Sequence, residues 1–150
     1  MTKKCLDLVK AFEGFSARPY LCPAGYWTIG YGHVLGKTWQ DTWGSLIFTK
    51  EQAEEMLLKT LKNIEFVINS LIEVDIHDYM LDALISFSYN CGIYAFRAST
   101  LRRLINQGEL YQASEQFTRW VYAGGKKLNG LVRRRQAEKE LYLKGLSLLN

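Results

Sequence analysis

Residues 12–33 read Phe12-Glu13-Gly14-Phe15-Ser16-Ala17-Arg18-Pro19-Tyr20-Leu21-Cys22-Pro23-Ala24-Gly25-Tyr26-Trp27-Thr28-Ile29-Gly30-Tyr31-Gly32-His33. Here helical periodicity stops and strand-and-turn chemistry begins. Upstream, Cys5, Leu6, Val9 and Phe12 recur at helical spacing, so Lys3 to Phe12 is expected to form an amphipathic helix with Thr2 as its N-cap. Downstream, Pro19, Pro23 and the five glycines from Gly14 to Gly36 separate short β-prone runs at Tyr20–Cys22, Tyr26–Ile29 and Tyr31–Leu35. That punctuation predicts an antiparallel hairpin or a three-stranded sheet.

The rest of the chain is helical in pattern. Lys37 to Phe48 reads as a loop carrying Trp39 and Trp43. Thr49-Lys50-Glu51-Gln52 has the form of a capping box, in which hydroxyl and amide each satisfy an orphan backbone donor. It opens a long helix whose apolar positions run from Ala53 to Leu71 at spacings of three and four. His77 to Tyr89 is apolar on several faces, the pattern of a buried central helix, and Gly92 is its stop. Shorter helices are expected over Thr100–Gln107, Glu109–Trp120 and Leu131–Gly145, with Tyr122–Gly130 as the loop between the last two. The expected fold is α+β, mostly α, in one two-lobed domain spanning 1–150. An N-terminal lobe of about 13–60 holds the sheet. A helical C-terminal lobe of about 72–150, with helix 3–12 packing on it, is joined to the first by the long helix. The junction of two lobes is where substrate sites tend to lie.

Composition excludes several classes. The 150 residues are 48% apolar, ordinary for one folded domain. No apolar run approaches the roughly 20 residues that cross a bilayer, so stable membrane insertion is not expected. Lys3 and Lys4 resemble the start of an export signal, but Asp7 and Lys10 interrupt the apolar stretch that should follow. No secretion signal is read, and reduced thiols in a cytoplasmic compartment are the default expectation. Cys5, Cys22 and Cys91 are too scattered for a disulfide framework, and His33 and His77 are too isolated for a zinc site, so no structural metal is expected. The formal charge of +4 is concentrated late, at Lys126, Lys127 and Arg133 to Arg135, after Arg102 and Arg103. A solvated helix face is the plain reading of that run, and an anionic partner is the other. Nucleic acid is excluded by the lack of any recognisable binding motif.

The chemistry lies in a ladder. Glu13 stands nine residues before Cys22, and Cys22 six before Thr28. Glu13 ends the first helix between Phe12 and Phe15, where apolar rings and the helix C-terminus both favour a protonated carboxyl able to donate. Thr28 can orient a water but is too weak a base to activate one alone. Cys22 can accept a proton as thiolate, attack carbon, or only shape the pocket. Glycosidic hydrolysis needs an acid at the leaving oxygen and a group guiding water on the opposite face of the sugar, and this segment supplies candidates for both.

Together with Thr28-Ile29-Gly30-Tyr31-Gly32-His33, the ladder resembles the phage-type lysozymes of glycoside hydrolase family 24, the endolysins. The likeness continues in Asp82–Gly92, in Phe96–Leu101, and from Arg119 to Glu138. The resemblance implies a lysozyme-like fold and a cofactor-free muramidase. Its reaction would be hydrolysis of the β-1,4 bond between N-acetylmuramic acid and N-acetylglucosamine of the peptidoglycan glycan strand. The implied setting is a monomer acting on the wall after release, in host lysis. Glu13 matches the family's acid, Thr28 its water-placing hydroxyl, and Cys22 a position usually held by Asp. His33 matches a structural, hydrogen-bonded sheet residue. Tyr31, Tyr89 and Asn90 fall near the saccharide cleft and are the binding candidates. Arg133 to Arg135 would steady the second lobe or face anionic wall polymer. The favoured outcome is inversion. The thiol leaves open a second expectation, a binding module that has lost hydrolysis, and it suggests a redox switch through Cys22 oxidation or pairing with Cys5 or Cys91.

Overall fold

The computed structural model describes residues 1–150. Seven α-helices form, α1 (Lys3–Glu13), α2 (Lys50–Leu71), α3 (Asp78–Cys91), α4 (Ile93–Arg97), α5 (Thr100–Asn106), α6 (Leu110–Ser114) and α7 (Asn129–Leu148). Five strands accompany them, β1 (Ser16–Leu21), β2 (Trp27–Gly30), β3 (His33–Gly36), β4 (Tyr122–Ala123) and β5 (Lys126–Lys127). The chain divides into two compact units, one of Met1–Cys5 with Leu61–Asn150 and one of Leu6–Thr60.

The Leu6–Thr60 unit is built on the antiparallel sheet β1-β2-β3. Cys22-Pro23-Ala24-Gly25 makes the tight connection between β1 and β2, with proline second and glycine fourth as a type I turn favours. Gly25 N–H reaches Cys22 O at 2.9 Å, and Cys22 N–H reaches Tyr26 O at 2.8 Å. Gly25 has φ +88°, the left-handed residue that ends a three-residue hairpin loop and matches it to the strand twist. The segment expected to be a plain loop is anchored instead. Trp39 stands edge-on to Trp27 at 4.8 Å and to Trp43 at 5.8 Å, and a 3-10 turn spans Asp41–Ser45. Phe48 N–H then closes on Ala17 O at 2.8 Å. The capping box forms as the sequence predicts. Thr49 N–H meets Gln52 Oε1 at 2.9 Å, and Gln52 N–H meets Thr49 Oγ1 at 3.1 Å.

In the other unit α3 is the hub. Met80 to Ser88 are buried without a break, and Gly92 at φ +97° ends the helix by turning its N–H back to Ser88 O at 2.8 Å. Phe87 is ringed edge-on by Phe96, Phe117 and Trp120. Thr2 caps α1 through Lys4 N–H and also holds the buried Asp82, its backbone N–H at 2.8 Å from Oδ1 and its hydroxyl on Oδ2. The buried face of α7 is Arg134, Arg135, Glu138, Tyr142 and Gly145, spaced for one helical stripe. Gly145 permits the approach to α3, because a Cβ there would meet Met80 N at 2.7 Å.

The structure departs from three expectations. Arg134 and Arg135 are not a solvated face and do not present charge to a wall polymer; they are 3% and 0% exposed, while Arg133 stays at the surface. Glu138 accounts for the difference, pairing with Arg134 Nε at 3.3 Å and Arg135 Nε at 2.7 Å and accepting Ser86 Oγ–H at 2.6 Å. Tyr122–Gly130 is not a plain loop, since β4 and β5 pair Tyr122 with Lys127 and Ala123 with Lys126. The Glu109–Trp120 helix is likewise broken, into α6 and a 3-10 turn over Phe117–Arg119.

Candidate active site

Glu13 is the last residue of α1 and is half-buried. Gly14 follows at φ +70°, a left-handed stop at which its own N–H bonds Lys10 O at 3.1 Å. The carboxyl is therefore fixed at the point where the helix hands over to β1.

Cys22 and Thr28 are brought together by strand register. Tyr20 pairs with Thr28 across β1 and β2, which places their side chains on one face of the sheet. Cys22, two residues beyond Tyr20, follows on the same face by the period of two. Thr28 is 4% exposed, and its hydroxyl donates to Tyr26 O at 3.0 Å. The Cys22 thiol is held below its usual range, first by hydrogen bonding from the Tyr26 backbone and further by the Ala24 and Gly25 backbone and the Thr28 hydroxyl. The hairpin loop thus forms a small nest of donors around the sulfur, which favours the thiolate.

Tyr20 is the residue that sequence reasoning missed. It is 38% exposed, and its phenol is pushed up by partial burial and then by the negative fields of Glu13 and Cys22. Tyr20 stands across the strand pair from Thr28 and two residues before Cys22. The available signal was its position two residues before Cys22 in a strand. The alternation rule places it beside the thiol, yet it reads first as an ordinary strand aromatic.

The binding candidates occupy different settings. Tyr31 is 6% exposed, lies 5.4 Å from the Phe15 ring, and carries the Lys10 ammonium 5.5 Å above its own ring. Tyr89 and Asn90 belong to the other unit, at the end of α3, with Tyr89 half-buried and Asn90 exposed. Asn90 Oδ1 accepts Arg135 Nη2 at 2.7 Å. Because Arg135 is itself fixed by Glu138, the Asn90 carboxamide is oriented with its oxygen inward. His33 lies in β3 opposite Ile29, but its ring is exposed rather than hydrogen-bonded into the sheet. All three cysteines are free thiols; burial pushes Cys5 to about 12 and raises Cys91 as well. No three His, Cys, Asp or Glu side chains gather into a metal-holding group, and no helix is long and apolar enough to cross a membrane.

Residues 10–138 match the family described as Phage lysozyme. The chain is 43% identical over 138 residues to the SAR-endolysin of Enterobacteria phage P21, covering 89% of this chain and 78% of that one. It is 36% identical over 144 residues to the endolysin of Bacillus phage B103, covering 95% of this chain but 53% of that protein, so it spans about half that relative's length. The muramidase domain of SpmX from Asticaccaulis excentricus superposes with a TM-score of 0.83 at 32% identity, covering 95% of this chain and 96% of that one. The chain belongs to the phage lysozyme family, and the domain it forms is that of a peptidoglycan-hydrolysing glycosidase.

Proposed function

We propose that this protein is a muramidase that cleaves the β-1,4 bond between N-acetylmuramic acid and N-acetylglucosamine with inversion, using Glu13 as acid and Cys22 with Thr28 to guide water. The observation that carries this reading is the strand register that sets Cys22 and Thr28 on one face of the sheet, which begins at Ser16 just after α1 ends at Glu13. Glu13 lends its proton to the glycosidic oxygen as the bond to the anomeric carbon breaks. A water held by the Thr28 hydroxyl attacks that carbon from the opposite face. Its proton passes to the Cys22 thiolate, and solvent then returns the acid and the thiol to their starting states. Each group is used once, so no covalent sugar intermediate is needed.

The substrate is the glycan strand, which Tyr31, Tyr89 and Asn90 help to bind, and the protein acts on the wall as a monomer without a cofactor, after release from the cytoplasm of its bacterial host. An impaired binding module would have little use for Glu13 and Thr28 kept at this spacing from Cys22. The test is clearing of permeabilised cells by wild type and Glu13→Gln. Losing a positioned acid lowers rate by about 10²–10⁴-fold. Equal clearing by both would remove Glu13 from the mechanism. Nuclear magnetic resonance of the first-formed anomer decides inversion, and a retained anomer would overturn it.

A further inference from the structure

Arg97, Arg102 and Arg103 line one open surface cavity of about 330 Å³ together with Ala98, Ser99 and Thr100. The sequence concentrates three arginines within seven residues, and all three line that cavity. Their partners are neutral. Arg102 is aimed by two carbonyls, Nε on Leu71 O at 3.1 Å and Nη1 on Arg97 O at 3.2 Å. Arg103 Nη1 touches only the Gln107 amide oxygen, at 3.4 Å. None of the three makes an ion pair with a carboxylate; the ion pairs of this unit involve Met1, Arg134, Arg135 and Lys139. Nearby Glu73 supplies its backbone N–H to Asn106 Oδ1. Carbonyl dipoles orient a guanidinium without neutralising it, so the positive charge along the cavity wall is not offset by an ion pair.

We propose that this cavity binds a phosphate group. A carboxylate offers two oxygens, which one guanidinium fork saturates; a tetrahedral phosphate offers enough oxygens and charge for several forks at once. The cavity volume is at the lower end of small-molecule sites, suited to one such group rather than to a large ligand. The exposed Thr100 hydroxyl adds a neutral donor at the rim. The phosphate is either a free ion or a phosphodiester of an anionic glycerol-phosphate polymer. The site makes no use of Glu13, Cys22 or Thr28, so it stands whether or not the catalytic reading holds.

The test is calorimetric titration of the intact protein with inorganic phosphate, a glycerol-phosphate oligomer and acetate, at low salt. The variant is Arg97→Gln with Arg103→Gln, both exposed positions whose change leaves in place the two backbone carbonyls that hold Arg102. Wild type should bind phosphate and the double variant about tenfold or more weakly, since each lost contact is a charge-assisted hydrogen bond. Tighter binding of the oligomer than of the ion assigns the polymer as the source, and equal or weaker binding assigns the free ion. Binding of neither phosphate form, unchanged affinity in a double variant with wild-type melting, or equally tight acetate binding would overturn the proposal.

Discussion

Cys22 and Thr28 share one acceptor, the Tyr26 carbonyl oxygen, which takes the Cys22 backbone N–H at 2.8 Å and the Thr28 hydroxyl at 3.0 Å. The Thr28 hydroxyl has a single hydrogen, and it also lies in hydrogen-bonding reach of the Cys22 sulfur. While the sulfur is protonated, the hydroxyl can stay on the carbonyl. Once the sulfur ionises, the hydrogen is better used on the thiolate, because charge-assisted bonds are the stronger ones. A hydroxyl that can turn between two acceptors is suited to tracking a water as its proton moves to sulfur.

That relationship orders the reactivity of the three thiols. Cys22 is partly exposed and lowered from 9.0, whereas Cys5 is buried and raised to about 12 and Cys91 is raised by burial. Brief alkylation of folded protein near pH 8 should give a single modification at Cys22, read by peptide mass spectrometry. The rate against pH should show a midpoint below 9.0, and Thr28→Val should move it upward by removing one stabilising donor. The sign follows from the direction of the shift, since a depressed thiol ionises earlier as pH rises. First labelling at Cys91 would contradict the donor nest.

Replacing the thiol separates its possible roles. Cys22→Asp keeps a proton acceptor and should retain activity, whereas Cys22→Ser should lose about 10²-fold or more in kcat/KM, the scale of general base catalysis. Comparable turnover by both variants would make the side chain incidental. In wild type, oxidation of Cys22 should abolish clearing and thiol reductant should restore it from the reversible stages.

The buried charge network should be costly to break. Glu138 is fully buried, and burial pushes its carboxyl up against the opposing pull of Arg135 and Arg134. Glu138→Gln leaves Arg135 fully buried without an ion-pair partner, which costs about 3–5 kcal/mol. At about 2–4 °C per kcal/mol, the melting temperature should fall by roughly 10 °C. Asn90 is held by the same arginine, so KM should rise in any variant that still folds. A fall of less than about 2 °C would show that the guanidinium groups find water instead.

Gly145 tests the α3–α7 approach. Alanine in a helix interior is favoured over glycine by about 0.5–1 kcal/mol. Here the added Cβ would sit 2.7 Å from the Met80 backbone nitrogen and 2.9 Å from its Cγ. Overpacking costs about 1–3 kcal/mol, so the clash should win and Gly145→Ala should lower the melting temperature. A stabilised variant would mean that the helices separate at little cost.

Local rules were enough for much of this protein. The Thr49–Gln52 box, the Thr2 cap, the Gly92 stop and the turn at Pro23–Gly25 each depend on a few adjacent residues, and each forms as the sequence predicts. The placement of Glu13, Cys22 and Thr28 was also legible, since a helix end and a hairpin turn are both set by neighbouring residues. Tertiary structure alone decided the rest. A run of three arginines reads as a solvated surface until Glu138 and Ser86 are placed against Arg134 and Arg135, since burial of charge depends on partners distant in the chain. The same holds for the orientation of Asn90 by Arg135, the field of Glu13 on Tyr20, and the close seat of Gly145 on Met80. Sequence periodicity assigns a side chain to a face; which atoms meet it there is fixed by how the elements pack.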